Sequence, residues 1–96
     1  MGLMERRLLS VIIPMYNAEK FIASMIKAIQ NQSYTNFEVI IVDDQSTDNS
    51  VEVVKKMVSY DSRFHLFVRP NLLIKGAQSC RNYAINFVNG TYLIYL

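Results

Sequence analysis

Phe37-Glu-Val-Ile-Ile-Val-Asp43, followed at once by Asp44-Gln-Ser-Thr-Asp-Asn-Ser50, decides how the rest of the sequence is read. The first seven residues are rich in β-branched side chains, the pattern of a strand buried on both faces of a sheet. The polar cluster behind them ends the strand and opens a turn. Upstream, Leu8-Leu-Ser-Val-Ile-Ile-Pro14 is a second apolar run of the same kind, stopped by proline. Between the two runs Asn17 is placed to cap a helix over 18–31, where Phe21, Ile22, Met25, Ile26 and Ile29 recur at helical spacing. Behind the polar cluster, Ser46 or Thr47 is expected to cap a second helix running to Tyr60, with Val51, Val54, Met57 and Val58 as its inner stripe.

Phe64-His-Leu-Phe-Val68 reads as a third strand, and a loop containing Arg69-Pro-Asn71 and Gly76 leads from it into a third helix. Cys80, Tyr83, Ala84, Phe87 and Val88 fall on one side of that helix, and Asn89-Gly90 stops it. Thr91-Tyr-Leu-Ile-Tyr-Leu96 is the fourth strand. Alternating strands and helices give the α/β class, because each crossover between parallel strands is right-handed and about a helix long. The expectation is a mainly parallel four-stranded sheet with helices on its faces, forming a single domain over residues 1–96.

Composition narrows the function. At 51% hydrophobic and 19% charged residues, the chain has none of the signature of disorder. Ten Lys and Arg against eight Asp and Glu leave a net charge of +2, spread along the chain. A nucleic-acid partner is therefore not expected, since it calls for basic residues gathered on one face. The single cysteine, Cys80, cannot form an internal disulfide, so a cytoplasmic location is the expectation. Three glycines are too few for a dinucleotide fingerprint or a P-loop, and no His/Cys spacing suits a metal.

In an open parallel sheet, ligands bind beyond the carboxyl ends of the strands. Three clusters should share that edge: Pro14-Met-Tyr-Asn17, then Asp43-Asp44 with Ser46, then residues 69–81. Adjacent strand residues point to opposite faces, so only one of Asp43 and Asp44 should enter a pocket. A carboxylate there accepts hydrogen bonds and donates none, which suits a uracil or guanine ring N–H or a ribose hydroxyl. Asp44 is the expected reader. Arg81, Lys75 and Arg69 supply counter-charge for a diphosphate, and Arg81 is preferred because it is expected near the start of the third helix, where the dipole favours an anion. Taken singly, each residue has a plainer role. Paired Asp before Ser and Thr is turn chemistry, Tyr16 and His65 are packing, Glu19 complements a helix dipole, and Cys80 is buried filler.

Taken together and in order, the segments resemble the start of family 2 glycosyltransferases, inverting enzymes of the GT-A fold. Ser10-Val-Ile-Ile-Pro-Met-Tyr-Asn17 resembles the family's opening strand and loop, Val42-Asp-Asp-Gln-Ser-Thr-Asp-Asn-Ser50 its second-strand signature, and Gly90-Thr-Tyr-Leu-Ile-Tyr-Leu96 its fourth strand. The sequence departs from the pattern at Gln45, where glycine is common, at Cys80, where alanine is usual, at Ala84, where glycine is usual, and in a longer loop over 71–76.

The resemblance implies a nucleotide-sugar site in which Pro14 and Tyr16 line the nucleoside pocket, Asp44 binds the base and Arg81 approaches the nucleotide. Asn17, Glu19, Asp43 and Ser46 belong to the same set. It implies transfer with inversion from a nucleotide-diphosphate sugar, expected to be a UDP-sugar, to a saccharide or lipid-linked acceptor. The divalent metal, Mn or Mg, would be held by an Asp-x-Asp motif one step beyond Leu96. The general base also lies farther on, so residues 1–96 hold no catalytic group and should be inactive alone. The complete protein would work in the cytoplasm or at the cytoplasmic face of a membrane. An uncovered sheet edge would favour self-association. Two other classes compete: a receiver-like signalling domain, for which a third acid and a strand-end lysine are wanting, and a non-catalytic nucleotide-binding or assembly module.

Overall fold

Strands and helices alternate along the chain: β1 (Leu9–Met15), α1 (Ile22–Asn31), β2 (Phe37–Asp43), α2 (Ser50–Val58), β3 (Phe64–Val68), α3 (Ala77–Ala84) and β4 (Tyr92–Tyr95). A 3-10 turn at Ile85–Phe87 follows α3. The structure, a computed structural model, describes residues 7–96, so a domain start at residue 1 lies outside it. The four strands form one sheet in the order β3-β2-β1-β4, with every neighbouring pair parallel. The fold is α/β, as the alternation predicts. Sheet growth runs from β1 through β2 to β3, then returns to add β4 on the far side of β1. The reversal places the switch point, where open α/β sheets bind ligands, at the carboxyl end of β1.

Every residue of β2 is buried, so its two sets of side chains build two cores. On one face Val39 and Ile41, with Val11, Ile13 and Met15 of β1, meet Ile22 and Ile26 of α1 and Val54 of α2. On the other, Ile40, Val42 and Ile12 meet Cys80 and Ala84 of α3. Phe67, Tyr83 and Phe87 close that second core, with the Phe67 and Phe87 rings stacked at 4.0 Å. Each fully buried aliphatic side chain contributes roughly 1.5–3 kcal/mol, which makes these faces the main source of stability.

Pro14 does not stop β1, which runs on to Met15. The Met15 carbonyl faces β2, where it accepts from the Asp44 N–H, so the Pro14 nitrogen faces the β4 side. The register of β4 with β1 runs only as far as Ile12, so the bond that Pro14 cannot donate lies beyond the paired residues. Helix starts also differ from expectation. α1 begins at Ile22 rather than Ala18, and α2 at Ser50, and neither Asn17 nor Ser46 caps a helix. Both side chains are used in the loops instead. α3 ends at Ala84, short of Asn89-Gly90.

At the amino ends of the strands a buried polar group ties the chain together. Ser10 on β1 and Glu38 on β2 are register partners, and the Ser10 hydroxyl donates to the Glu38 carboxylate at 2.5 Å. The Asn89 N–H and side-chain amide donate to the same carboxylate at 2.7 and 3.1 Å, and the Gly90 N–H donates to Ser10 Oγ at 2.9 Å. Burial pushes the Glu38 carboxyl up, but the Ser10 and Asn89 hydrogen bonds, with His65 nearby, outweigh it and hold the carboxyl below its usual range.

A second carboxylate supports a pH prediction. Asp61, in the turn before β3, is lowered to about 2, chiefly by hydrogen bonds from the Arg63 side chain, with further help from the Arg63 N–H and Gln30. Its folded pKa lies below its unfolded one, so its contribution is present above about pH 4 and lost as pH falls toward 2. Allowing for solvent screening, Asp61→Asn should cost about 1 kcal/mol at pH 7. In urea titrations the gap to the parent should shrink to a small remainder by pH 2; an undiminished gap there would rule the charge out as its origin.

Candidate functional site

The three clusters expected at the carboxyl edge do meet there, and hydrogen bonds join them directly. Tyr16 and Asn17 follow β1, Asp43 ends β2, and Arg69 follows β3, all at the same end of a parallel sheet. Asn17 has a positive φ of 48°, a conformation asparagine tolerates better than most residues. Its backbone N–H donates to Ser46 Oγ at 2.8 Å, while its side-chain oxygen accepts from the N–H groups of Thr47 and Asp48 at 2.8 and 3.3 Å. The loop after β1 is thus stitched to the loop after β2.

Asp43 and Asp44 diverge, as strand alternation requires. Asp43, 1% exposed, accepts from the Ser46 N–H at 2.9 Å and the Ser46 hydroxyl at 2.6 Å, which is why Ser46 is not free to cap α2. Asp44 turns to the α3 side, where it pairs with the Arg69 guanidinium and accepts from the Gly76 N–H at 3.0 Å. Both members of that ion pair are nearly buried. Burial, with the Asp44 carboxylate close by, pushes the Cys80 thiol up to about 11, so it is a core group and no nucleophile at neutral pH.

Between the paired acids and Ser46, Gln45 holds a φ of 61°. That is the left-handed region, which explains why glycine suits this position in sequences of the resembled pattern. Gln45 makes use of its side chain there: its amide donates to the Arg69 carbonyl at 3.0 Å and to Asn71. The 69–76 loop is anchored to the β2 loop in this way and also touches the β1 loop, because the Lys75 ammonium lies 4.0 Å from the Tyr16 ring centroid. Tyr16, 43% exposed, presents an aromatic face at the switch point.

Not every expected residue joins this assembly. Pro14 lies within β1, paired with Val42. Glu19 is exposed, and only its backbone is engaged, its N–H donating to Asp48 at 3.2 Å. Arg81 is half-buried on α3 but falls in the last turn, not near the start. The helix dipole there favours the cation itself and lends nothing to an anion, which corrects the expectation. Arg69, expected as counter-charge for a ligand, is instead 6% exposed and committed to Asp44. Ser50 was not singled out by the sequence, although its buried hydroxyl accepts from the Ala18 N–H at 2.7 Å and fixes the entry to α1. Its place at a helix start, two residues after Asp48, was the available signal.

The family model for glycosyl transferase family 2 matches residues 10–96, which takes in the three strand-end loops and all of the sheet but Leu9. The chain belongs to this family. A relative, the UDP-Glc:alpha-D-GlcNAc-diphosphoundecaprenol beta-1,3-glucosyltransferase WfgD of Escherichia coli, is 37% identical over 93 residues, 97% of this chain and 35% of the relative. Among solved structures, S. aureus TarS 1-349 in complex with UDP-GlcNAc superposes with a TM-score of 0.79 and 28% identity, covering 92% of this chain and 25% of that one. The mannosyltransferase PcManGT of Pyrobaculum calidifontis, in complex with GDP-Man and Mn2+, gives a TM-score of 0.80 at 25% identity, covering 88% and 25%. The glycosyl transferase family 2 chain described here, a GT-A fold, thus spans about a third of the length of its curated relative. Among the described residues no helix is long and apolar enough to cross a membrane.

Proposed function

We propose that residues 1–96 form the nucleotide-sugar-binding part of an inverting glycosyltransferase that carries a sugar from a UDP-sugar to a hydroxyl of a saccharide or lipid-linked acceptor. The observation that carries this reading is the meeting of Tyr16, Asp44 and the 69–76 loop at the switch point of the sheet. A UDP-sugar complex of one structural neighbour and the lipid-diphosphate substrate in the name of one relative support it. In this reading Pro14 and Tyr16 line the nucleoside pocket, and Asp44 accepts from the base through lone pairs left over by Arg69 and Gly76. Arg81, whose side chain makes no hydrogen bond or ion pair with another described residue, approaches the diphosphate. Asn17, Asp43 and Ser46 hold the two loops in register around the ligand, and Glu19 borders them.

A neighbour's Mn2+ raises the matter of a metal. The residues described here do not fit one: no group of three or more His, Cys, Asp or Glu side chains gathers among them, and Asp43 and Asp44 point apart to protein partners. The proposal therefore assigns divalent ion and general base to parts of the complete protein outside this chain, and assigns no transfer activity to residues 1–96. It places the complete protein in the cytoplasm, at the membrane face where a lipid-linked acceptor would be met.

Calorimetry on the complete protein with manganese present is the test. UDP or GDP should bind, and the reading is abandoned if neither does at millimolar concentration. For the 96-residue chain, self-association is expected, because β4 pairs only with β1 and Tyr92, Leu93, Ile94 and Tyr95 are each 38–49% exposed. Sedimentation velocity should show a concentration-dependent rise in mass; a single monomeric species throughout would refute it.

A further inference from the structure

We infer that Arg69 is a positioning residue for nucleotide recognition, acting through Asp44 and the 69–76 loop without touching the ligand. The inference rests on the nucleotide-sugar reading and extends it to a residue outside the set proposed to contact the nucleotide. Arg69 is the first residue after β3, and its N–H continues the ladder by donating to the Asp43 carbonyl at 2.8 Å. Its guanidinium then does three things at once. Nε donates to the Asp44 carboxylate, and Nη1 donates to the carbonyls of Pro70 and Leu73 at 3.2 and 2.5 Å. One planar group so links the acid at the end of β2 to the middle of the loop that follows β3.

Besides this group, the Gln45 amide holds the start of the loop through the Arg69 carbonyl and Asn71, and the centre has little else. Leu72 and Ile74 are 98% and 83% exposed, so apolar burial does not fix its centre. Its far end is held by Asp44 again, through the Gly76 N–H, at a φ of 138° that favours glycine. Lys75, between those two tethers, rests on the Tyr16 ring. Through these contacts Arg69 sets both the direction of the Asp44 oxygens and the place of Lys75 beside the aromatic face. A lysine cannot reproduce this, because a single ammonium on a flexible stem lacks the fixed fork that reaches carboxylate and carbonyl together.

The test uses the complete protein with Arg69→Lys and Arg69→Met, and reads two quantities. The first is amide hydrogen exchange over 70–77 without ligand, expected to speed by at least about tenfold in Arg69→Lys while α1 and α2 stay protected. The second is UDP affinity with manganese present, expected to fall about five- to tenfold in Arg69→Lys with kcat at saturating donor within about twofold, the pattern of weakened binding rather than lost chemistry. Should Arg69→Met fail to fold, Arg69→Lys, which keeps a charge opposite Asp44, carries the test. Unchanged exchange over 70–77 in a folded Arg69→Lys protein overturns the tether. Faster exchange with unchanged affinity overturns the link to recognition. If the parent protein binds neither UDP nor GDP, the nucleotide reading itself has failed, and the exchange result alone decides whether Arg69 holds the loop.

Discussion

Asp44→Ala is expected to remove about 3–5 kcal/mol of folding stability from the 96-residue chain, a loss no surface carboxylate would cause. The reason lies in what is left behind. Arg69 is 6% exposed, and without its partner it becomes a buried charge facing the Cys80 side of the sheet edge, while the Gly76 N–H loses its acceptor. A domain of this size has about 5–15 kcal/mol in total, so the variant should be close to half unfolded in modest urea. Replacing both partners together, Asp44→Leu with Arg69→Met, should restore much of the loss, because a buried pair is worth little more than apolar groups of the same volume. Urea unfolding followed by circular dichroism measures all of these. A single-variant loss below about 1 kcal/mol would mean that water reaches the pair and that it is not buried in solution.

Gly90→Ala is the second large effect expected, about 2–3 kcal/mol, and it arises from space rather than from backbone conformation. A Cβ at residue 90 would lie 2.4 Å from Ser10 Oγ, 2.7 Å from the Leu8 carbonyl oxygen and 2.9 Å from the Ser10 nitrogen. Two of those neighbours belong to the backbone of the chain entering β1, so turning the Ser10 hydroxyl away relieves only part of the clash. Turning it away also disturbs the hydroxyl that joins Gly90 to the buried Glu38. Thermal unfolding of Gly90→Ala and of Ser10→Ala/Gly90→Ala separates the two contributions. The double variant should remain well below the parent, and full recovery would show that the backbone contacts yield freely.

The strands were legible in the sequence because their signal is simple. Runs such as Val39-Ile-Ile-Val42 and Val11-Ile-Ile13 have few alternatives to a sheet interior, and the alternation of strand and helix leaves few topologies. Helix starts were not legible. Asn17 and Ser46 are good cap residues, but in this fold each is claimed by a neighbouring loop, Asn17 by Thr47 and Asp48, Ser46 by Asp43. Such claims come from residues about thirty positions away or from a turn just formed, and no local pattern records them. Gly90 was legible as a stop signal for the wrong reason, since α3 has already ended at Ala84 and the glycine is needed for close approach to β1.

In the candidate site the sequence located the loops and missed the wiring between them. Arg69, Lys75 and Arg81 all read as cations near one edge, and nothing in their spacing tells which is buried. The structure separates them: Arg69 goes to Asp44, Lys75 to the Tyr16 ring, and Arg81 to no described partner. Burial did that sorting, because a guanidinium carried under the loop must find a carboxylate while one on the helix surface need not.

The polar tie at the amino ends of the strands bears on how this chain matures. β1 leaves the ribosome before the strands that flank it, yet Ser10 waits for Glu38, 28 residues later, and for Gly90, 80 residues later. Because every ladder in the sheet is non-local, β4 must have been made before β1 is held on both sides. Until then its apolar run is a nascent segment without a home, and a chaperone that grips short hydrophobic stretches would find it there first.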